Sequence, residues 1–239
     1  MQIEAITFDI DDTLWDNVPV MQQLEQEMYT WLEQQVGRPL DVDITDLAWR
    51  RMEYGATLAG TPRFGDVTYV REQVTHQLLK EHGVTEPKAR ELAQTATEVM
   101  LELRHRVTPF PEVEGLLTQL SQHYRLAVIT NGNVDVNQLS IARHFDVIFK
   151  AGELGMPKPD PAIFRHTLEK LGNIAPQHAM HVGDSWTSDV EPSAALGMQA
   201  VWIDVLNEGQ APTPAHNIHR ISHVRELPEV LKALGQPLQ

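Results

Sequence analysis

Three aspartates, Asp9, Asp11 and Asp12, fall within four residues immediately behind the apolar run Ile3, Ala5, Ile6, Thr7 and Phe8. Carboxylates so placed can hold a hard cation through oxygen ligands, and they can act as nucleophile and as acid or base toward a phosphoryl group. An isolated Asp-x-Asp pair is more often a pair of helix-capping or loop acids. Three further polar clusters change that balance: Thr130-Asn131-Gly132, Lys158-Pro159-Asp160, and Gly183-Asp184 followed by Asp189. Asp9, Asp11 and Asp184 brought together at about 4 Å would repel by about 4 kcal/mol per pair at an effective dielectric of about 20. A site made from them therefore requires cations, and Lys158 and Mg2+ would supply them. Magnesium usually keeps several waters, which suits two carboxylates and a backbone carbonyl better than a full protein cage. Thr130 offers a hydroxyl, and the N–H groups of Asn131 and Gly132, read as lying near a helix N-terminus, offer donors to phosphate oxygens.

The clusters can meet only if each follows a strand of one parallel sheet. The first follows the apolar run over 3–8; the others follow apolar stretches over 126–130, 147–150 and 179–182, with a further strand expected over 200–203. Helical patterns over 113–123, 136–143, 162–171 and 189–196 alternate with them, and an amphipathic pattern over 227–234 closes the chain. Pro161 at the first helical position and Asp160 as N-cap mark one helix start, and Gly197 marks a helix end. This alternation predicts a doubly wound, Rossmann-like α/β core whose strand ends share one edge, where ligands bind.

Between the first strand and the second the pattern is helical only. Val20, Leu24, Met28, Trp31 and Leu32 recur at helical spacing up to Gly37; weaker periodicity covers 43–58; Val67, Val70, Val74 and Leu78 form a third set, and Ala89, Leu92, Ala96, Met100 and Leu103 a fourth. The expected organisation is a core of residues 1–16 and 109–239 with a four-helix cap inserted at 17–108. A Pro-containing loop is expected over 208–217.

Composition narrows the chemistry. The absence of cysteine excludes disulfides, thiolate nucleophiles and thiolate zinc sites. A formal net charge of -14 argues against nucleic acid, because phosphate backbones need a compensating basic surface. No basic leader and no apolar run near membrane-spanning length is apparent, so no membrane association and a cytoplasmic location are expected. The eleven histidines show no metal-ligand spacing. No G-x-G-x-x-G follows the first strand and no P-loop motif is present.

Taken in order, FDIDDTL, ITNG, KPDP and HVGDSWTSD at strand ends resemble the four motifs of the haloacid dehalogenase-like hydrolases, over essentially the whole chain, with the helical insertion where that family's first cap type lies. By that resemblance Asp9 is the nucleophile and forms an aspartyl-phosphate, and Asp11 is the general acid and later base. Thr130 and Lys158 hold the phosphoryl oxygens. Asp9, Asp184 and the backbone carbonyl of Asp11 bind Mg2+, with Asp189 directly coordinating or supporting. The dehalogenases of the family lack an aspartate two residues after the nucleophile, whereas cleavage of a phosphate ester needs a proton for the leaving oxygen. Phosphonatases use a cap lysine, and the insertion offers only Lys80 and Lys88, neither in an apolar setting. The resemblance thus implies a phosphomonoester hydrolase, with phosphomutase as an alternative.

Substrate is less legible. Asn131, Arg71 and Tyr54 are candidate substrate contacts, with Arg63, Phe64 and Tyr69 as further cap residues that could face the site. The opening FDIDDTL-WDN, the ITNGN stretch and GDVTYVR resemble the branch containing FMN phosphatases and the phosphatase of 5-amino-6-(5-phosphoribitylamino)uracil. A small phosphorylated metabolite, with FMN or that pyrimidine first and sugar phosphates or nucleotides next, is the expected substrate, and a monomer or weak homodimer the expected state. His181 reads as a satisfied buried histidine and Trp15 as a hinge anchor. A receiver-like phosphoacceptor switch also joins aspartates, a lysine and Mg2+, but such domains are shorter and separate the phosphorylated aspartate from the acidic pair.

Overall fold

A computed structural model describes residues 2–205 and 215–236. The first strand, β1 (Ala5–Phe8), is buried along its whole length. It leads into four helices, α1 (Asn17–Val36), α2 (Ile44–Thr57), α3 (Val67–Glu81) and α4 (Glu86–Arg104). The chain then continues through α5 (Val113–Leu120), β2 (Arg125–Thr130), β3 (Val147–Lys150), the short α6 (Ala151–Leu154), α7 (Pro161–Lys170), β4 (Ala179–Gly183), α8 (Glu191–Ala195), β5 (Gln199–Ile203), β6 (Ile218–Ile221) and α9 (Leu227–Ala233).

Among the described residues the sheet has six strands, all parallel, in the order β3-β2-β1-β4-β5-β6. Side chains of successive strand residues point to opposite faces, and the sequence sorts them by size. Ile6, Phe8, Leu126 and Val128 face α5 and α9, packing with Leu117, Leu120, Leu227 and Leu231. Ala5, Ala127 and Ala179 face α7, whose Ile163, Phe164 and Leu168 fill the space those small residues leave. Burial on both faces is why these strands read as continuous apolar runs.

Helices α1–α4 have an apolar cluster of their own, built on Leu24, Met28, Leu32, Val74, Leu92 and Met100. Asp16, Asp43 and Asp66 cap α1, α2 and α3 by accepting from the N–H groups of the first turns. Of the residues of α2 only Leu47 is buried, and Trp49 and Met52 stand exposed. The chain leaves and re-enters the sheet region at adjacent points, where Phe110 N–H donates to the Leu14 carbonyl at 2.9 Å. Elsewhere the 65–66 backbone lies so close to α6 that a Cβ on Gly152 would stand 2.7 Å from the Gly65 carbonyl oxygen. No described helix is long and apolar enough to cross a membrane.

Several local expectations are corrected. The helix over 136–143 is instead two 3-10 turns, Val136–Gln138 and Ser140–His144. The buried positions there are Val134, Val136 and Ile141, which is not a helical stripe, and the Asp135 side chain accepts from Asn137 N–H and Gln138, competing with helix formation. The helix over 189–196 is a π-turn, Trp186–Val190, followed by α8. A helical turn, α6, lies between β3 and the Lys158-Pro159-Asp160 cluster, and β6 extends the sheet beyond the expected strands. Of the loop over 208–217, residues 208–214 lie outside the described residues.

Leu32 is fully buried in the helical cluster. Leu32→Ala is expected to cost about 2–5 kcal/mol by loss of transfer energy and creation of a cavity. Hydrogen exchange should then accelerate most at the amides of α1, α3 and α4, with β1 and β4 little changed. Equal acceleration throughout the sheet would show that the two clusters unfold as one.

Candidate active site

The strand ends converge as their parallel register requires. β1 lies between β2 and β4, with Phe8 paired to Val128 and to Val182, so Asp9 stands level with Ile129 and Gly183, one step beyond the last paired residue of β1. Thr130 closes β2 beside Lys150 of β3. Lys158 comes from the loop after α6, and the Asn131 side chain holds that loop in place: Asn131 Nδ2 donates to the Lys158 carbonyl at 2.9 Å, and Lys158 N–H donates to Asn131 Oδ1 at 2.8 Å.

The centre is a buried group of charges. Lys158 Nζ donates to Asp9 Oδ1 at 2.7 Å and to Asp189 Oδ1 at 2.5 Å. The same Asp189 oxygen lies 3.0 Å from His181 Nε2, while Ser185 N–H donates to Asp189 Oδ2 at 3.1 Å. His181 Nδ1 meets the Thr7 hydroxyl at 2.7 Å, so both ring nitrogens have partners, as expected of a satisfied buried histidine. Burial keeps this imidazole below its ordinary pKa, so it is neutral and Nε2 carries the proton donated to Asp189. Such close packing depends on Gly183, because a Cβ there would stand 2.4 Å from Asp189 Cγ.

Cations are fewer than anions. Burial raises the Asp9 carboxyl well above its ordinary pKa; Lys158 opposes the rise, while Asp189, Asp11 and Asp184 add to it. Asp184 is pushed up to about 7, first by burial and then by the charges of Asp189 and Asp12. Burial would raise Asp189 too, but Lys158 and His181 hold it down to about 2. Asp189 and Asp9 press Lys158 upward against its burial. Asp9, Asp184 and Asp189 each present an oxygen, all within 4.8 Å of one another. This hard, all-oxygen donor set, with Asp9 and Asp184 undercompensated, fits a divalent cation of the Mg2+ or Ca2+ kind. Asp189 already uses both oxygens on protein donors, so Asp9 and Asp184 are the carboxylates with capacity to spare.

Asp11 faces a different partner. Arg104, the last residue of α4 and almost completely buried, donates through Nη2 to both Asp11 oxygens, and Trp15 Nε1 donates to Asp11 Oδ1 at 3.0 Å. Gly132 makes room for this arrangement: a Cβ there would lie 2.6 Å from Asp11 Oδ2 and 3.1 Å from Thr130 Oγ1. Gly132 N–H donates to the Thr130 hydroxyl at 2.8 Å. Arg104 Nε donates to Asn133 Oδ1 at 3.2 Å, and Asn133 Nδ2 donates to Thr68 Oγ1 at 3.1 Å, so α3 and α4 both reach this edge of the sheet.

Thus Asp9, Thr130, Asn131, Lys158, Asp184 and Asp189 come together, with Asp11 beside them under Arg104. The N–H groups at 131 and 132 follow a strand but precede no α-helix, because 3-10 turns replace the one expected. Arg104 and Asn133 escaped sequence reasoning. The signal for Arg104 was its position four residues after Met100, on the buried face of α4, where an arginine requires a carboxylate partner. Arg71 and Tyr54 lie in the helical unit: Arg71 donates to Glu25, and Tyr54 packs beside Tyr69 with ring centroids 6.4 Å apart. Arg63 is largely exposed and pairs with Asp66 at 2.7 Å, its guanidinium 4.8 Å from the Tyr69 ring centroid. Trp15 is buried, and Trp186 packs edge-on against Trp202.

Residues 3–197 match the model of the haloacid dehalogenase-like hydrolase family. Over 202 residues, 84% of each chain, the protein is 31% identical to the Escherichia coli 5-amino-6-(5-phospho-D-ribitylamino)uracil phosphatase YigB. It is 34% identical over 163 residues to the phosphoserine phosphatase of Thermus thermophilus, covering 66% of this chain and 63% of that one. Among solved structures, a protein described as a 2-haloacid dehalogenase from Pseudomonas syringae superposes with a TM-score of 0.84 at 34% identity, over 98% of this chain and 100% of that one. A match to the family model across most of the chain, on a parallel sheet with acidic and basic groups gathered at its strand ends, establishes that the chain belongs to the haloacid dehalogenase-like hydrolases, with relatives that support a phosphatase.

Proposed function

We propose that the protein is a Mg2+-dependent phosphomonoester hydrolase that works through an aspartyl-phosphate at Asp9, with α1–α4 (residues 17–108) acting as a cap over the core of residues 1–16 and 109–239. The observation that carries this reading is a second carboxylate, Asp11, at the same strand end and two residues beyond the Lys158-paired Asp9. A halide leaves without a proton, so a dehalogenase has no use for the second carboxylate. An alkoxide leaving from phosphorus requires one.

In the first half-reaction an oxygen of Asp9 attacks phosphorus and the bond from phosphorus to the ester oxygen breaks, with Asp11 protonating that oxygen. Water then attacks the acyl phosphate while Asp11 takes its proton, giving inorganic phosphate and free Asp9. Thr130 and Lys158 hold phosphoryl oxygens during both steps, and Asn131 sets the height of Lys158 through its two backbone contacts. The carboxylates of Asp9 and Asp184 and the backbone carbonyl of Asp11 would hold Mg2+, which when bound supplies positive charge against the phosphoryl oxygens, with Asp189 supporting. Asp189 also holds the Lys158 ammonium, together with Asp9.

For substrate we favour FMN or 5-amino-6-(5-phosphoribitylamino)uracil. Support comes from the sequence likeness to a riboflavin-pathway phosphatase and from cavities between the helical unit and the core large enough for a ring. Nucleotides and sugar phosphates follow: over 247 residues the chain is also 27% identical to the Escherichia coli pyrimidine 5'-nucleotidase YjjG.

Asp9→Asn should abolish release of phosphate from p-nitrophenyl phosphate without unfolding the chain, because an amide is a poor nucleophile and a poor ligand. Undiminished turnover would end the assignment. Asp11→Asn should lower kcat by roughly 10²- to 10⁴-fold on an alkyl phosphate, and by much less on p-nitrophenyl phosphate, whose leaving group needs little protonation. Equal losses on both would give Asp11 another role, and release of halide from 2-chloropropionate in place of phosphate would favour the dehalogenase reading.

Asp184 generates a pH-dependent expectation. Its folded-state pKa of about 7 lies above the ordinary 3.8; its contribution to stability is therefore full below about pH 4 and is lost as the pH rises through about 7. A cation that binds the ionised form reverses the loss. Added Mg2+ should raise Tm much more at pH 8 than at pH 5, and Asp184→Asn should remove most of that difference. An equal Mg2+ effect at both pH values would place the ion elsewhere.

A further inference from the structure

The charged cluster Arg51, Glu25 and Arg71 lies inside the helical unit and takes no part in the reaction above. Arg51 donates from Nη1 to Glu25 Oε1 at 2.6 Å and from Nη2 to Glu25 Oε2 at 3.1 Å, and Arg71 donates to the same Oε1. One carboxylate thus serves two guanidiniums. Burial alone would raise the Glu25 pKa, but the two arginines hold it below the usual range, so Glu25 is ionised and one positive charge remains in excess. Arg71 is drawn below its ordinary pKa by burial and by the neighbouring Arg51. Arg51 Nε is buried with no hydrogen-bond partner, a donor that structures rarely leave unused.

The arginine pair borders two cavities. One, of about 680 Å³, is lined by residues of α1, α2 and α3 and the α1–α2 connection, and does not reach the core. The other, of about 420 Å³, has apolar walls including Met52, Phe64 and Val70 and reaches Pro157 and Lys158. Lys158 is the residue whose ammonium sits on Asp9. Of the two, this second cavity alone runs from the arginine pair to the core loop that carries Lys158.

Resting on the phosphatase reading, we infer that Arg51 and Arg71 are specificity-determining residues, and that they bind the far end of a leaving group with an apolar, ring-sized body ending in oxygen acceptors. A guanidinium only donates, so the far end must accept. The walls between the arginines and Lys158 are mainly apolar, and the cavity volume matches a ring system better than a three-carbon chain. Ring carbonyls and a ring carboxylate share this chemistry. Glu25 holds both guanidiniums at the wall, which lowers the ordering cost when the ligand arrives.

The test compares kcat/KM for phenyl phosphate, 4-carboxyphenyl phosphate and FMN in the full-length enzyme with Mg2+. The wild type should prefer at least one of the two acceptor-bearing esters over phenyl phosphate by more than about tenfold, mainly through KM. Losing a hydrogen bond to a charged group should reduce that preference roughly 10- to 100-fold in Arg71→Met and Arg51→Met. Because removing either arginine disturbs a buried ion pair, Gly55→Leu provides a second route. A Cβ at Gly55 meets only Val70 Cγ2, at an ordinary 3.7 Å, so the larger side chain should fold and fill the cavity, with the same loss of preference. Preference for FMN alone would identify ring carbonyls as the acceptors, and preference for the carboxylated ester alone a carboxylate. A wild-type preference near one, or a preference that survives both Arg71→Met and Gly55→Leu, overturns the inference while leaving the phosphatase reading intact. Failure of the wild type to release phosphate from any of the three overturns that reading, and the inference with it.

Discussion

The structure is organised around a shortage of positive charge. Asp9, Asp184 and Asp189 are held within a few ångströms of one another at the end of a dry parallel sheet, and Lys158 is the cation among them. Removing such charges from water costs several kcal/mol per ion, and mutual attraction offsets this only where geometry is good. Much nearby structure can be read as meeting that condition. Asn131 fixes the lysine's backbone, His181 and Ser185 N–H complete the coordination of Asp189, and Gly183 lets the Asp189 side chain approach. What the protein does not neutralise is concentrated on Asp9 and Asp184, the two groups whose carboxyls are pushed upward. An arrangement that completes one ion pair and leaves two carboxylates short of charge is suited to receiving a cation, and less suited to stabilising the empty fold.

The core was legible because its physics is periodic. Strands buried on both faces must be apolar throughout, helices that cover them must show a stripe, and polar residues at the ends of such strands have few structural reasons to be there. Ile3 to Phe8 followed by Asp9 and Asp11 meets all these conditions, as does the run ending at Thr130. The failures lie where local competition outweighs periodicity. Asp135 satisfies its neighbours' N–H and side-chain amide donors and so replaces a helix with 3-10 turns. Residues 186–190 form a π-turn that carries Asp189 into the site with its carboxylate already aimed at Lys158. β6 is half-exposed and short, and its sequence IHRI alternates too briefly to stand out.

The site's long-range partners were harder to foresee for a separate reason. Lys158 could be assigned because it follows a strand and the topology brings strand ends together. Arg104 follows a helix, and nothing in helical periodicity says which carboxylate a buried arginine will meet. Arg71 illustrates the same limit: it could be chosen as an anion partner from its type, but its tie to Glu25 and its proximity to Arg51 depend on how α1, α2 and α3 pack. Pairings within the sheet follow from the fold class, whereas pairings between helices depend on rotations that the pattern of apolar residues only loosely constrains.

These two kinds of pairing meet at Asp11. Its backbone belongs to the loop that follows β1, fixed by the sheet, but its carboxylate is held by Arg104 from α4, the last helix before the chain returns to the core. Arg104 in turn touches Asn133, and Asn133 touches Thr68 on α3, so the Asp11 carboxylate is tied to two helices of the unit and to the loop after β2. The chain's crossing points at Leu14 and Phe110 lie side by side, so the helical unit joins the core through one short double connection. Arg104 reaches Asp11 from α4, whereas Lys158, Asp9 and Asp189 meet one another from the sheet side. The same fold therefore ties Asp9 to Lys158 on the sheet side and Asp11 to Arg104 on the helical side.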